Sequence, residues 1–384
     1  MQTKQNDLSE YLTTFMRKKV SAAKESGLDV IDFTIGNPDL PPPAELLEQL
    51  IQEIRLIENH SYPNRETQGS QQLCEAIATF YRNRFHLELD PALNVMPLIG
   101  SKECAHYLCV SLLKPGDLVI IVEPCYPTYK VNAVLAGAEV FELQTNADND
   151  YLPNLDDIPE HILRRAKLFF TNYPNNPTGA TAPLSFYSKL VDLAHTYNFI
   201  ICNDNVYSEL YYDEHPPHSI LEVPNSLEVA VESHSLSKTL NICGWRVGML
   251  SGNRMVIKRV LNVKQYADAG IFMPIQIAAS KAMSTQEQFV SNLRNIYCHR
   301  KQALQDGLIR NGYWVYPSTS GMYVWARIPE HRNAPEHVEF LLSKGIAVNP
   351  GKAYGDFYSE YVRFSLNVPI NRIEQAIERI VTNS

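Results

Sequence analysis

Residues 168–204 read LFFTNYPNNPTGATAPLSFYSKLVDLAHTYNFIICND. Leu168–Asn172 and Phe199–Asn203 are short apolar runs rich in β-formers, too brief for helices. Between them, Leu184, Tyr187, Val191 and Ala194 recur on one face of a 3.6-residue period. Strand, helix, strand in that order is a crossover unit, which joins parallel strands. The pattern extends to both sides. Leu118–Val122, Val140–Leu143, Val229–Glu232 and Val247–Ser251 are further candidate strands, and Leu73, Ile77, Phe80 and Tyr81 share a helical face. The alternation predicts a mostly parallel sheet covered by helices, with ligands outside the carboxyl ends of its strands.

The last third changes pattern. Gly312-Tyr-Trp-Val-Tyr-Pro and Gly321-Met-Tyr-Val-Trp-Ala-Arg-Ile-Pro read as two antiparallel strands. Ile370, Ile373, Ile377 and Ile380 line one side of a final amphipathic helix. This predicts a second, smaller α+β domain. The expected division is 1–44 as an N-terminal segment packed on the small domain, 45–275 as the large domain and 276–384 as the small one. A chain of 384 residues suits two or three domains of roughly 100–200 residues each.

Composition narrows the function. Hydrophobic residues make up 45% and charged residues 20%, which is a globular profile. The 34 basic and 42 acidic residues leave a net charge of −8, whereas nucleic-acid and membrane surfaces call for a basic excess. Neither partner is expected. The seven cysteines are scattered, without a CxxC pair or a Cys/His cluster, so no metal site or disulfide framework is expected and a reducing cytoplasm is the expected compartment. The start, MQTKQNDLSEYLTTFMRKK, lacks the apolar core of a signal peptide, and no apolar run reaches the ~18 residues a membrane span needs.

Four segments beside the candidate strands carry residues suited to chemistry. Asp204 follows Phe199–Asn203; it is either a helix N-cap or an anion that holds a cationic ring nitrogen. Ser233-His-Ser235-Leu-Ser237-Lys238 follows Val229–Glu232, with Gly244-Trp-Arg246-Val-Gly248 downstream. Hydroxyls and an arginine fork suit a phosphate, and a lysine beside other cations can lose its proton and become a nucleophile; the alternative is a solvated loop lysine. Tyr173-Pro-Asn175-Asn176-Pro177-Thr178-Gly179 is explained by turn chemistry alone or by a specific binding loop. Gly100-Ser101-Lys102-Glu103 opens a candidate helix, whose N-terminal amides are a ready anion site.

Together these residues resemble the class I and II aminotransferases, pyridoxal-phosphate-dependent enzymes of fold type I. The motifs fall in family order from about Ile31 onward: Gly36-Asn37-Pro38-Asp39, Gly100-Ser101-Lys102-Glu103, Asn176-Pro177-Thr178-Gly179, Asp204 with Tyr207, Ser235 with Lys238, Arg246, and Tyr361-Val-Arg363-Phe-Ser. The subgroup of alanine and LL-diaminopimelate aminotransferases has similar strings. The resemblance implies an α/β fold with a mostly parallel seven-stranded sheet and a smaller α+β domain. It implies that Lys238 forms the Schiff base and moves the substrate proton, that Asp204 pairs with the pyridine nitrogen, and that Tyr207 and Asn176 bond the ring oxygen. Ser235, Ser237, Arg246, Ser101 and Lys102 would hold the phosphate, Tyr126 would stack on the ring, and Arg363 would clamp the substrate carboxylate with Gly36 nearby. It also implies a homodimer with shared active sites, to which Tyr62 would contribute across the interface.

Two departures bear on the substrate. Tyr62 precedes Gly69 by seven residues, two more than is usual, which places Arg65 or Glu66 within reach of the site. The segment Tyr266-Ala-Asp-Ala-Gly-Ile-Phe has none of the arginine with which aspartate-type enzymes read a distal carboxylate. Lys102 is the candidate for that task. The expected reaction moves the amino group of an alanine-, aspartate- or LL-diaminopimelate-type donor to a 2-oxo acid, with 2-oxoglutarate and glutamate as one pair. The same motifs also serve β-elimination by a C–S lyase. A transcription regulator built on this fold would need a DNA-binding module, for which the roughly 30 residues before Ile31 are too few.

Overall fold

In the computed structural model, which describes residues 12–63, 69–329 and 334–381, the strands are β1 (Ile31–Asp32), β2 (Val95–Ile99), β3 (Leu118–Glu123), β4 (Glu139–Gln144), β5 (Ala166–Thr171), β6 (Ile200–Asp204), β7 (Ala230–Ser235), β8 (Val247–Gly252), β9 (Trp314–Val315), β10 (Tyr323–Arg327), β11 (Ile346–Ala347), β12 (Asn349–Pro350) and β13 (Tyr361–Ser365). The helices are α1 (Leu12–Glu25), α2 (Ala44–Ile54), α3 (Gln71–Phe85), α4 (Lys102–Leu112), α5 (Thr128–Leu135), α6 (Glu160–Arg165), α7 (Leu184–Tyr197), α8 (Leu236–Thr239), α9 (Arg254–Lys264), α10 (Met273–Met283), α11 (Glu287–Arg310), α12 (Ala334–Ser343) and α13 (Ile370–Val381).

Seven strands form one sheet in the order β2-β8-β7-β6-β5-β3-β4. β4, β3, β5, β6 and β7 run parallel, and β8 is antiparallel to both of its neighbours. β3 is buried at all its positions, as a strand between two helical layers must be. One apolar cluster packs α3, α7 and α10 on one face of the sheet, and another packs α4, α5 and α9 on the opposite face. All six candidate strands lie in this sheet; the seventh, β2, is the apolar run before Gly100.

Two strand ends differ from expectation. Asp204 closes β6 instead of following it, so it does not cap a helix. β7 runs on to Ser235, and Lys238 sits in the short helix α8, not in a loop. Ser-His-Ser is a poor strand sequence, but β7 is central and its backbone pairs on both sides, Asp204 with Ser233 and Ser235 with Gly248. Tertiary pairing overrides propensity there. His234 is a core histidine: its Nε2 meets Ser208 Oγ at 2.9 Å, and burial pushes its pKa down to about 3.

A second, antiparallel sheet has the order β12-β13-β10-β9, and β1 pairs in parallel with β11. Ile373, Ile377 and Ile380 of α13 are buried against it, each contributing roughly 1.5–3 kcal/mol. Ile370 is exposed at the start of the helix. Phe33 meets Phe364 edge-on at 5.4 Å, and Arg300 of α11 forks onto Asp39 at 2.7 and 2.8 Å. These contacts bring residues 34–37 to the ends of β5, β6 and β7.

Candidate active site

A cavity of about 540 Å³ opens where those strand ends meet the second sheet. It is lined by Gly36, Ser101, Lys102, Tyr126, Asn176, Asp204, Tyr207, Ser235, Ser237, Lys238, Arg246 and Arg363, all anticipated from sequence. Tyr62 is the exception: it does not line this cavity and stands 80% exposed. Arg65 and Glu66 lie outside the described residues. Arg17, Tyr129 and Tyr323 bear on the site and were not anticipated.

Lys238 projects from α8, whose start is held by Ser235 Oγ accepting the Ser237 N–H at 3.1 Å. Its Nζ donates to the carbonyl of Gly36. Burial pushes the Lys238 pKa down, and the nearby Arg363 and Arg246 charges act in the same direction. Both favour a neutral, nucleophilic amine. A Cβ at Gly36 would lie 2.3 Å from the Tyr323 hydroxyl, so only glycine leaves room for that ring. The Tyr323 and Tyr207 hydroxyls meet at 2.9 Å.

Asp204 is anchored by Tyr129, whose hydroxyl donates to Oδ2 at 2.5 Å, and Tyr129 stacks on Phe170 with centroids 5.1 Å apart. Asp204 Oδ1 is buried without a hydrogen-bond donor. Burial raises the Asp204 pKa to about 6, against the lowering effect of the Tyr129 hydroxyl. A carboxylate in this position gains most from a cation placed beside Oδ1.

At the other end, Gly100 turns at φ +75° and leads through Ser101 into α4. A Cβ on Gly100 would fall 2.0 Å from Arg246 Nη2, and one on Gly248 would fall 2.4 Å from the Ser101 nitrogen. The glycines thus let the arginine fork and the amides of the Ser101 turn pack together, a cradle of donors shaped for an anion. Opposite, Arg363 donates to Asn176 Oδ1 at 2.8 Å and to the Thr34 carbonyl at 2.9 Å. Its guanidinium lies 4.0 Å from the Tyr323 ring centroid, and its Nε is buried without a partner.

A buried lysine amine, a buried carboxylate and a cradle of anion donors in one cavity fit the aldehyde, ring nitrogen and phosphate of pyridoxal phosphate. The fold and the site define the class: a fold type I pyridoxal-phosphate enzyme. The family model of class I and II aminotransferases matches residues 28–380, and the chain belongs to that family. It is 40% identical to the LL-diaminopimelate aminotransferase of Aquifex aeolicus over 374 residues, 97% of this chain and 96% of that protein. It is 38% identical to LL-diaminopimelate aminotransferase 2 of a Nostoc species, across 96% of this chain and 95% of that protein. A probable N-succinyldiaminopimelate aminotransferase from Thermus thermophilus superposes with a TM-score of 0.91 at 30% identity, covering 96% of this chain and 99% of the other. A mutant aspartate aminotransferase of the same organism reaches 0.92 at 25%, covering 100% and 99%. The chain is a pyridoxal-phosphate-dependent aminotransferase acting on amino acids and 2-oxo acids. Among the described residues no helix is long and apolar enough to cross a membrane, and no group of side chains is arranged for a metal.

Proposed function

We propose that this enzyme transfers an amino group of LL-diaminopimelate to 2-oxoglutarate, working as a cytoplasmic homodimer. The observation that carries the substrate reading is the charge of the cavity wall. Among the described residues, Arg17, Lys102, Lys238, Arg246 and Arg363 line it against the single carboxylate of Asp204, in a protein of net charge −8. Arg246 serves the cofactor phosphate and Arg363 the α-carboxylate, while Lys238 works as a neutral amine. The Lys102 and Arg17 side chains add positive charge to the same wall, suited to a further anionic group. Diaminopimelate and 2-oxoglutarate each bring a distal carboxylate.

Bound pyridoxal phosphate supplies an electron sink for the substrate α-carbon. The chain's residues do the rest. Arg363 orients the α-carboxylate through its fork, which Asn176 and Thr34 hold in plane. Lys238 Nζ takes the α-proton and later returns a proton. Asp204, held by Tyr129, would keep the pyridine nitrogen protonated, and Tyr207 with Asn176 would bond the ring oxygen. Ser101, Lys102, Ser235, Ser237 and Arg246 would hold the phosphate, and Tyr126 would cover the ring.

Exposed large apolar residues support the dimer. Ile57, Tyr62 and Tyr266 are 86%, 80% and 89% exposed, and Leu47, Ile51, Ile54 and Phe272 are exposed with them. Surface of this kind calls for a partner, and Tyr62 there would reach a second copy's site. The division into an N-terminal segment (1–44), a large domain (45–275) and a small domain (276–384) goes with this reading; α10, which spans the last limit, packs on α2 and α3.

The test is kcat/KM for LL-diaminopimelate, aspartate and alanine with 2-oxoglutarate, in the wild type, Lys102→Ala and Arg17→Ala. Loss of a charge-assisted contact should lower the values for acidic-ended substrates about tenfold relative to alanine. An unchanged ratio in both variants would remove the distal-carboxylate reading. Ammonia release from one amino acid without any 2-oxo acid would point to elimination instead.

A further inference from the structure

Outside the groups assigned above, a buried lysine beside the site is paired with two partly buried carboxylates. Lys264, the last residue of α9, has no exposed side-chain surface. Its Nζ lies 2.8 Å from Glu103 Oε1 and 2.6 Å from Asp268 Oδ2. The Tyr107 ring centroid is 5.2 Å from the ammonium, and the Tyr107 hydroxyl donates to Asp268 Oδ2 at 3.0 Å. Asp268 Oδ1 accepts the Gly270 N–H at 2.7 Å. Burying charges in this way is unfavourable unless each is well paired, and such a set is weak evidence of stabilisation by itself. What it holds in place is the informative question.

Glu103 answers it. It stands in the first turn of α4, one residue after Lys102, and its Oε1 also accepts the Ile99 N–H at 2.8 Å. Between Ile99 and Glu103 lies the Gly100-Ser101-Lys102 turn, packed on Arg246 and Gly248. The Glu103 side chain therefore bridges the two ends of that turn, and Lys264 holds Glu103. Without the ammonium, Glu103 and Asp268 would face each other as partly buried like charges with no cation between them. Their repulsion would turn Glu103 away, and the grip on Ile99 loosens.

We propose that Lys264 is a positioning residue for cofactor phosphate: acting through Glu103, it fixes the Gly100–Lys102 turn so that the turn's amides and Arg246 converge on one anion. This rests on the reading that the turn and Arg246 hold the phosphate.

The experiment compares dissociation constants of the cofactor-free protein for pyridoxal phosphate and for pyridoxal, which lacks the phosphate, by fluorescence titration. In Lys264→Met the affinity for pyridoxal phosphate should fall about tenfold or more while that for pyridoxal changes less than about twofold. Lys264→Arg should restore most of the preference. Glu103→Ala removes the bridge but leaves Lys264 paired with Asp268, so it carries the test if Lys264→Met does not fold. A merely structural role would lower the melting temperature and leave the ratio of the two affinities intact, and that outcome in both variants overturns the proposal. Arg246→Met separates the two readings. If it also leaves the ratio intact, the phosphate assignment fails. If it alone collapses the ratio, only the role of Lys264 fails.

Discussion

Arg363→Lys is the sharpest probe of substrate orientation. The guanidinium spends one prong on Asn176 Oδ1 at 2.8 Å and another on the Thr34 carbonyl at 2.9 Å, lies over the Tyr323 ring, and keeps a buried Nε without a partner. A lysine has one nitrogen and no fixed plane, so it cannot hold Asn176, Thr34 and a carboxylate in the same geometry. Losing one charge-assisted bond of about 1.5–3 kcal/mol lowers kcat/KM by about 10- to 150-fold. The assay is steady-state kcat/KM for two donors, LL-diaminopimelate and glutamate, at saturating pyridoxal phosphate. Both values should fall together, because both donors present an α-carboxylate, and the visible band of the bound cofactor should be unchanged. A loss below about threefold, or one confined to a single donor, would refute the assignment.

Two further substitutions test the cofactor side. Asp204→Asn should abolish tight cofactor binding yet stabilise the cofactor-free protein. The folded pKa of Asp204 is raised from 3.8 to about 6, so its ionisation destabilises the fold as pH climbs through that window, by up to about 3 kcal/mol at 1.36 kcal/mol per pH unit. Chemical denaturation should therefore show the variant matching the wild type below pH ~4 and exceeding it above pH ~6; a variant less stable at pH 7 would contradict the burial argument. Gly248→Ala puts a Cβ 2.4 Å from the Ser101 nitrogen and 2.6 Å from the Gly100 carbonyl carbon, both backbone atoms that cannot rotate away. Overpacking of about 1–3 kcal/mol should appear as a 5- to 150-fold weaker affinity for pyridoxal phosphate, measured by titration, and an unchanged affinity would show that the cradle tolerates the shift.

Much of this site was legible because its residues sit in local strings whose order is itself informative. Asn176-Pro-Thr-Gly, Ser235 to Lys238 and the Gly100 turn each follow a strand end, and the parallel topology gathers strand ends. What sequence missed depends on distant parts of the chain. Arg17 reaches the cavity from α1, and nothing in Phe-Met-Arg-Lys-Lys places it near Lys102. Tyr323 meets Tyr207 across 116 residues. Tyr129 had a readable signal, a second aromatic three residues after Tyr126 at the start of α5, but its bond to Asp204 is tertiary. The extension of β7 through Ser-His-Ser was hidden for the same reason, since pairing with β6 and β8 outweighs the residues' own preferences.

The most direct test of the central claim is the absorbance spectrum of purified wild type and Lys238→Ala with pyridoxal phosphate, before and after LL-diaminopimelate and then 2-oxoglutarate. The account expects a visible cofactor band in the wild type that the donor bleaches and 2-oxoglutarate restores, and that Lys238→Ala does not form. A wild type that takes up no cofactor, or a variant that cycles like the wild type, would contradict it.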